Sequence, residues 1–201
     1  MNIKFKLKPR HILLVGAAIA VVLGLRYIVF PPNYLPSEFS DARIKGALVA
    51  QKIVELSRGT LSRLSEVSRY DQERNTPEAL IAISNALIAN RENQVEAIRL
   101  SSQLNAMAEN LSRIRPARAR ELATQAVTAE VALVSRLLYY NTYLSQLFET
   151  LKIKFDKPWV SYLDGQVGDL ITKINDEAQA INELNKEFNS YMAEFDKIFA
   201  G

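Results

Sequence analysis

The side chains in this sequence with the most chemical potential are the carboxylates near its C-terminal end. Asp176, Glu177, Glu183 and Glu187 could offer oxygen ligands to a hard cation, and Glu183 and Glu187, four residues apart, share one face of a helix. Lys173 and Lys186 fall in the same stretch. Acids interleaved with lysines are more simply a solvated, ion-paired helix surface, so no metal site is expected there. The single histidine is His11, and there is no cysteine. Past residue 11, then, Ser-His-Asp and Cys-His nucleophiles, thiol redox chemistry, zinc sites built on His or Cys, and Glu-x-x-His iron sites all lack their essential group. No Ser-x-x-Lys string occurs either. The expectation is a non-enzymatic chain without a cofactor, carboxylate-only chemistry on the Glu183/Glu187 face being the enzymatic alternative.

Three other groups suit contact rather than catalysis. Arg113, Arg115, Arg118 and Arg120 crowd around Arg115-Pro116 and would attract acidic partners or anionic headgroups. Tyr139, Tyr140 and Tyr143 lie in the string Arg136–Tyr143. They would serve as anchors in a protein interface, or pack a bundle end with their hydroxyls reaching water. Asn90 and Gln94 interrupt an apolar helical stripe, where they would line a small-molecule site or fix helix register.

The elements that would hold these groups begin with the opening of the chain. Ile12–Phe30 is a run of 19 residues with Arg26 as its single charge. As a helix it would match the roughly 30 Å of a bilayer's hydrocarbon core. Arg26 and Tyr27 fall near its end, where a long basic stem and an amphipathic ring reach the interface, and Pro31-Pro32 stop it. A cleaved signal would need small residues after the apolar run. Arg-Tyr-Ile-Val-Phe-Pro-Pro supplies bulky ones, and an uncleaved anchor is therefore expected. Lys4, Lys6, Lys8 and Arg10 precede the span, whereas residues 31–50 hold only Arg43 and Lys45 as basic groups. The excess of positive charge places the N-terminus in the cytoplasm. The expected organisation is a cytoplasmic basic tail at 1–10, a transmembrane signal-anchor helix at 11–30, a Pro-rich linker at 31–37 and an extracytoplasmic bundle at 38–201. With the anchor's five basic residues set aside, 20 remain against 22 acids, which argues against nucleic-acid binding.

Beyond the linker the sequence is all-α in character, poor in Gly and Pro, with no alternation of strand period. Breaks at Arg69–Asn75, Arg115-Pro116 and Phe155–Pro158 predict helices near 38–72, 77–114, 117–154 and 158–199, with Thr76 as an N-cap. The region from Pro158 through Asp164-Gly165 and Gly168 is expected to be irregular. Leu80, Ile83, Leu87, Asn90, Gln94, Ala97, Ser101, Leu104, Ala108 and Leu111 form the predicted buried stripe of the second helix. Leu163, Val167, Leu170, Ile174, Ala178, Ile181, Leu184, Phe188, Met192, Phe195 and Phe199 form that of the fourth. The third helix is apolar around most of its circumference and is expected to be the most buried. The resulting fold class is a single N-terminal transmembrane helix followed by an antiparallel, up-down four-helix bundle of long, coiled-coil-like helices. The alternative is a rod in which Pro116 merely kinks a continuous second helix.

One anchor followed by a helical bundle, with Tyr140-Asn141 on a late helix, is similar in outline to the LemA-like proteins. That resemblance implies an envelope protein of unassigned activity. Membrane-bound four-helix sensor domains are similar too, but they return to the membrane through a second span. A tail of residues 1–10 is too short for a folded output domain, which favours an interaction role over a ligand-sensing one. The expected partners are the lipid bilayer and a protein, a second copy included.

Overall fold

The computed structural model describes residues 33–200, which form four long helices: α1 (Ser37–Gln72), α2 (Thr76–Asn110), α3 (Ala117–Asp156) and α4 (Tyr162–Phe199). The expected tail and anchor, residues 1–30, lie outside the described residues. No described helix is long and apolar enough to cross a membrane. Among the described residues there is no strand, only an isolated bridge between Tyr34 and Arg115.

The helices run up-down-up-down. The hairpin at Arg115-Pro116 is real: a single 3-10 turn at Leu111–Arg113 follows α2, and α3 then returns antiparallel. Pro116, with φ of −75° and ψ of 177°, stands just before α3, where a missing N–H costs nothing. Ile114, fully buried, pins this turn to the core. The long-rod alternative is thereby excluded. α1 packs on α2, α2 on α3 and α3 on α4. α1 meets α4 at one end, where Phe39 and Phe195 place their ring centroids 5.7 Å apart and Arg43 grips Asp196 through two hydrogen bonds of 2.6 and 2.7 Å. Both partners of that pair are substantially exposed, so its contribution is below about 1 kcal/mol and the Phe39–Phe195 contact does most of the closing.

As expected, α3 is the most buried helix, covered by α2 on one side and α4 on the other. The seam of α2 differs from the predicted stripe. Ala82 apart, its buried residues Ala79, Ile83, Ala86, Asn90, Asn93, Ala97, Leu100, Leu104 and Met107 keep an unbroken 4-3 spacing, the pattern of a coiled-coil face. Leu80, Leu87 and Gln94 are instead only half-buried, on the flank facing α3; Leu111 is half-buried too, while Ser101 and Ala108 are exposed. Size misled the sequence reading: alanines let α1 and α2 approach closely, so the smaller residues, and not the leucines, mark the seam.

Two local expectations are corrected. Thr76 is the first helical residue and caps nothing; Asn75 holds the N-cap position, and no side chain there bonds the free N–H groups. The stretch through Gly165 and Gly168 is helical, because α4 begins at Tyr162. The α1–α2 turn carries its own strain. Arg74 takes a φ of 56° while the Asn75 N–H reaches back to the Tyr70 carbonyl at 2.8 Å, a helix-ending geometry normally given to glycine. Arg74→Gly is therefore expected to stabilise the protein by about 1 kcal/mol, read as a higher urea midpoint at unchanged slope.

Candidate functional site

Closure of α1 on α4 is confined to one end, and farther along a cleft opens between them. Ile53, Val54 and Leu61 form its α1 wall, and Ala178, Ile181 and Asn185 form its α4 wall. Leu133, Leu137 and Tyr140 of α3 lie across its floor, and the space measures about 330 Å³. The cleft explains why the α4 stripe loses cover in mid-helix. Ile174 and Met192 are buried, while Ile181, Leu184 and Phe188 between them are only half-buried.

Glu130 sits in this floor, 7% exposed. Its Oε2 has no hydrogen-bond partner among the described residues. Loss of hydration upon burial pushes the carboxyl from its ordinary value of 4.5 up to about 7. Burial likewise raises Tyr140 above the usual phenol range. Arg58, exposed at the mouth, is the other charged group of the lining. Nearby, Arg136 approaches Glu177 at 3.4 Å, and the second oxygen of Glu177 is also unpartnered.

Behind the α1 wall a row of polar groups crosses the bundle. Ser57, which lines the cleft, accepts a hydrogen bond from Asn93 Nδ2 at 2.9 Å. Asn93 also donates to Asn141 Oδ1 at 3.3 Å. Asn90 Nδ2 donates to the Asn141 carbonyl at 2.6 Å and to Ser145 Oγ at 2.9 Å. Ser145 in turn lines an open groove between α2 and α3, together with Gln94. Asn90 and Asn93 each keep one acceptor unpaired, and Asn141 keeps its amide donor unpaired. Such a row costs stability and fixes which residues face each other, the role of a buried asparagine in a helical seam. Asn90 therefore belongs to a register device, while Gln94 faces the outer groove. Asn93, the member the sequence reading passed over, is equally buried.

The other anticipated groups are dispersed. The tyrosines part company: Tyr139 is exposed, Tyr140 faces the cleft, and Tyr143 is half-buried with the Lys173 ammonium 5.5 Å above its ring. Of the late carboxylates, Glu177 turns inward to Arg136, whereas Asp176, Glu183 and Glu187 are exposed and Gln179 donates to Glu183.

The arginines do gather, at the end where the described chain begins. Tyr34 and Arg115 exchange backbone hydrogen bonds of 3.1 and 2.9 Å. Arg113 donates to the Tyr34 hydroxyl at 3.0 Å and meets Glu38 at 3.4 Å; Arg118 pairs with Glu121 and Glu194. A backbone hydrogen bond and, after it, the positive charge of Arg113 hold the Glu38 carboxyl below its ordinary value. Arg115 is exposed and Arg120 half-buried, and neither forms an ion pair among the described residues.

No protein-family model matches this chain, and neither a curated protein nor a solved structure shows significant similarity to it. The likeness to LemA-like proteins thus rests on the outline of the sequence and on Tyr140-Asn141, and no comparison extends it.

Glu130 was visible in the sequence only as an interruption of the apolar third helix, and nothing there indicated that it would be left without a counter-ion. Trp159, the chain's single tryptophan, was also passed over. It lies exposed with Tyr162 at the α3–α4 turn, the end opposite the arginines.

Proposed function

We propose that this chain is a membrane-anchored, extracytoplasmic structural and interaction module, and that its bundle associates with a second copy of itself at the cell envelope. One observation carries the reading. Ile81, Ile88 and Val95 repeat every seven residues along α2, on the face opposite its buried seam, and each is about half exposed or more. Scattered exposed apolar residues are ordinary; a row of β-branched ones at one heptad position, with Ile98 beside it, is a narrow apolar ridge that a second helix can cover. Copies anchored in one membrane present their α2 helices parallel.

The anchor reading also gives the arginine end a role. Tyr34 follows the apolar run by four residues, a reach of no more than about 14 Å. The turn it grips would stand at the headgroup layer, where each Arg near an anionic surface contributes about 1 kcal/mol. The Arg113–Arg120 cluster would then face lipid and leave the flank of α2 for protein contact.

A cysteine-free chain makes the test direct. In native membranes, Ile88→Cys and Val95→Cys are expected to give a disulfide-linked homodimer upon mild oxidation, whereas Gln51→Cys on exposed α1 stays monomeric. A membrane-impermeant maleimide should label Gln51→Cys from outside the cytoplasm, whereas Ile88→Cys and Val95→Cys are shielded in the dimer. Monomer alone at Ile88 and Val95 sinks self-association. Labelling of Gln51→Cys only after lysis sinks the topology.

A further inference from the structure

We infer that the cleft between α1 and α4 is a binding site for a small organic amine, with the ligand's ammonium held by Glu130 and its apolar body lying along Val54, Leu61 and Ile181. The inference does not depend on the anchor or on self-association.

Two independent observations meet here. The first is shape: a space of about 330 Å³ with apolar walls, reaching inward between two helices that elsewhere close on each other. That is at the lower end of the roughly 300–1,000 Å³ of small-molecule sites, which are mostly apolar with a few convergent polar groups. The second is an unanswered acceptor. Glu130 is more than nine-tenths buried, lines this space, and has an oxygen that no described residue bonds. A buried charge without a partner is costly, and nothing in the packing of α3 demands an acid at this position. Gln at the same place would fill the same volume with no charge to desolvate. An ammonium supplies what the carboxylate lacks: a positive charge and N–H donors brought in on an apolar body. The amides of Asn182 and Asn185 at the α4 rim can accept any donor that Glu130 leaves unused.

Charged groups around Glu130 do not already perform this task. From α1 the lining offers Arg58, which is exposed at the mouth. From α4, Glu177 is turned to Arg136, and α2 contributes only Leu100 to the lining. A carboxylate binds the ammonium and a carboxylic acid does not, so affinity should rise with pH as Glu130 loses its proton.

The test uses the full-length chain in lipid nanodiscs, titrated calorimetrically with 2-phenylethylamine against empty nanodiscs. Comparators are 2-phenylethanol and 3-phenylpropanoate. Saturable binding of the amine is expected, with the alcohol about tenfold weaker or worse, as for loss of a hydrogen bond to a charged group, and the acid weakest. Glu130→Gln should weaken amine binding about tenfold or more and remove its rise between about pH 6 and 8. Ala178→Phe, which fills the cleft while keeping the carboxylate, should abolish it. Arg58→Ala should leave it intact or tighter. Equal amine affinity in wild type and Glu130→Gln overturns the proposal, as does binding that survives Ala178→Phe. Absence of saturable binding to the wild type overturns it too.

Discussion

Glu130→Gln is expected to stabilise the bundle by about 3 kcal/mol at about pH 8, and to leave it nearly unchanged at about pH 4. The native carboxyl titrates at about 7, against 4.5 ordinarily. Between those values the folded protein keeps a proton that the unfolded chain has released. Stability from this group is therefore fully present below about 4.5 and is lost as pH rises to about 7, after which both states are ionised. Glutamine, never ionised, should flatten that descent. Glu38 acts in the opposite sense: its lowered value adds stability that disappears as pH falls, in a window below 4.5 that does not overlap. Urea midpoints at about pH 5 and about pH 8 decide the matter, because urea slopes stay constant when only stability changes. A wild type equally stable at both, or a glutamine variant no more stable at the higher pH, would show a carboxyl well hydrated in solution. The same variant then serves the amine titration as a protein whose folding is not in question.

How much of this was legible in the sequence depended on range. Helix number, the hairpin at Arg115-Pro116 and the dominance of α3 are set by local breaks and by the width of an apolar face, and these were read from spacing. The identity of the α2 seam was not, because Ala86 and Ala97 mark where a neighbouring helix comes closest, which is a property of the pair. The same holds for α4. Its stripe from Leu163 to Phe199 is continuous in sequence, but burial lapses at Ile181, Leu184 and Phe188 where α1 stands away. A cleft is a missing contact, and periodicity on one helix says nothing about it. Glu130 became notable only once its neighbours were known to lack a cation for it. The arginine cluster was found by composition, yet its position at the Tyr34 end depended on hairpin direction, which only the assembled bundle fixes.

The cleft also changes where the core is most sensitive. Leu133, at the centre of α3, is the position at which the sequence would put the heaviest penalty for a polar group; in the structure it is 8% exposed and lines the cleft, whereas Leu144 is 1% exposed. Leu144→Asn is expected to cost about 3–5 kcal/mol, combining lost burial, a residual cavity and an amide without partners. Leu133→Asn should cost only about 1–2 kcal/mol, since its amide can turn toward the cleft and be met by water there. Asparagine is the better probe at 133, because an acid three residues from Glu130 would add like-charge repulsion on the same helix face. Both are measured by urea unfolding at about pH 5, where Glu130 still holds its proton and contributes equally to each variant. A difference of less than about 0.5 kcal/mol between them would mean that water does not enter between α1 and α4. The cleft would then be closed in solution, and the amine site would fall with it; a clear difference means that the helices part where Glu130 lies and that water reaches the floor of the cleft.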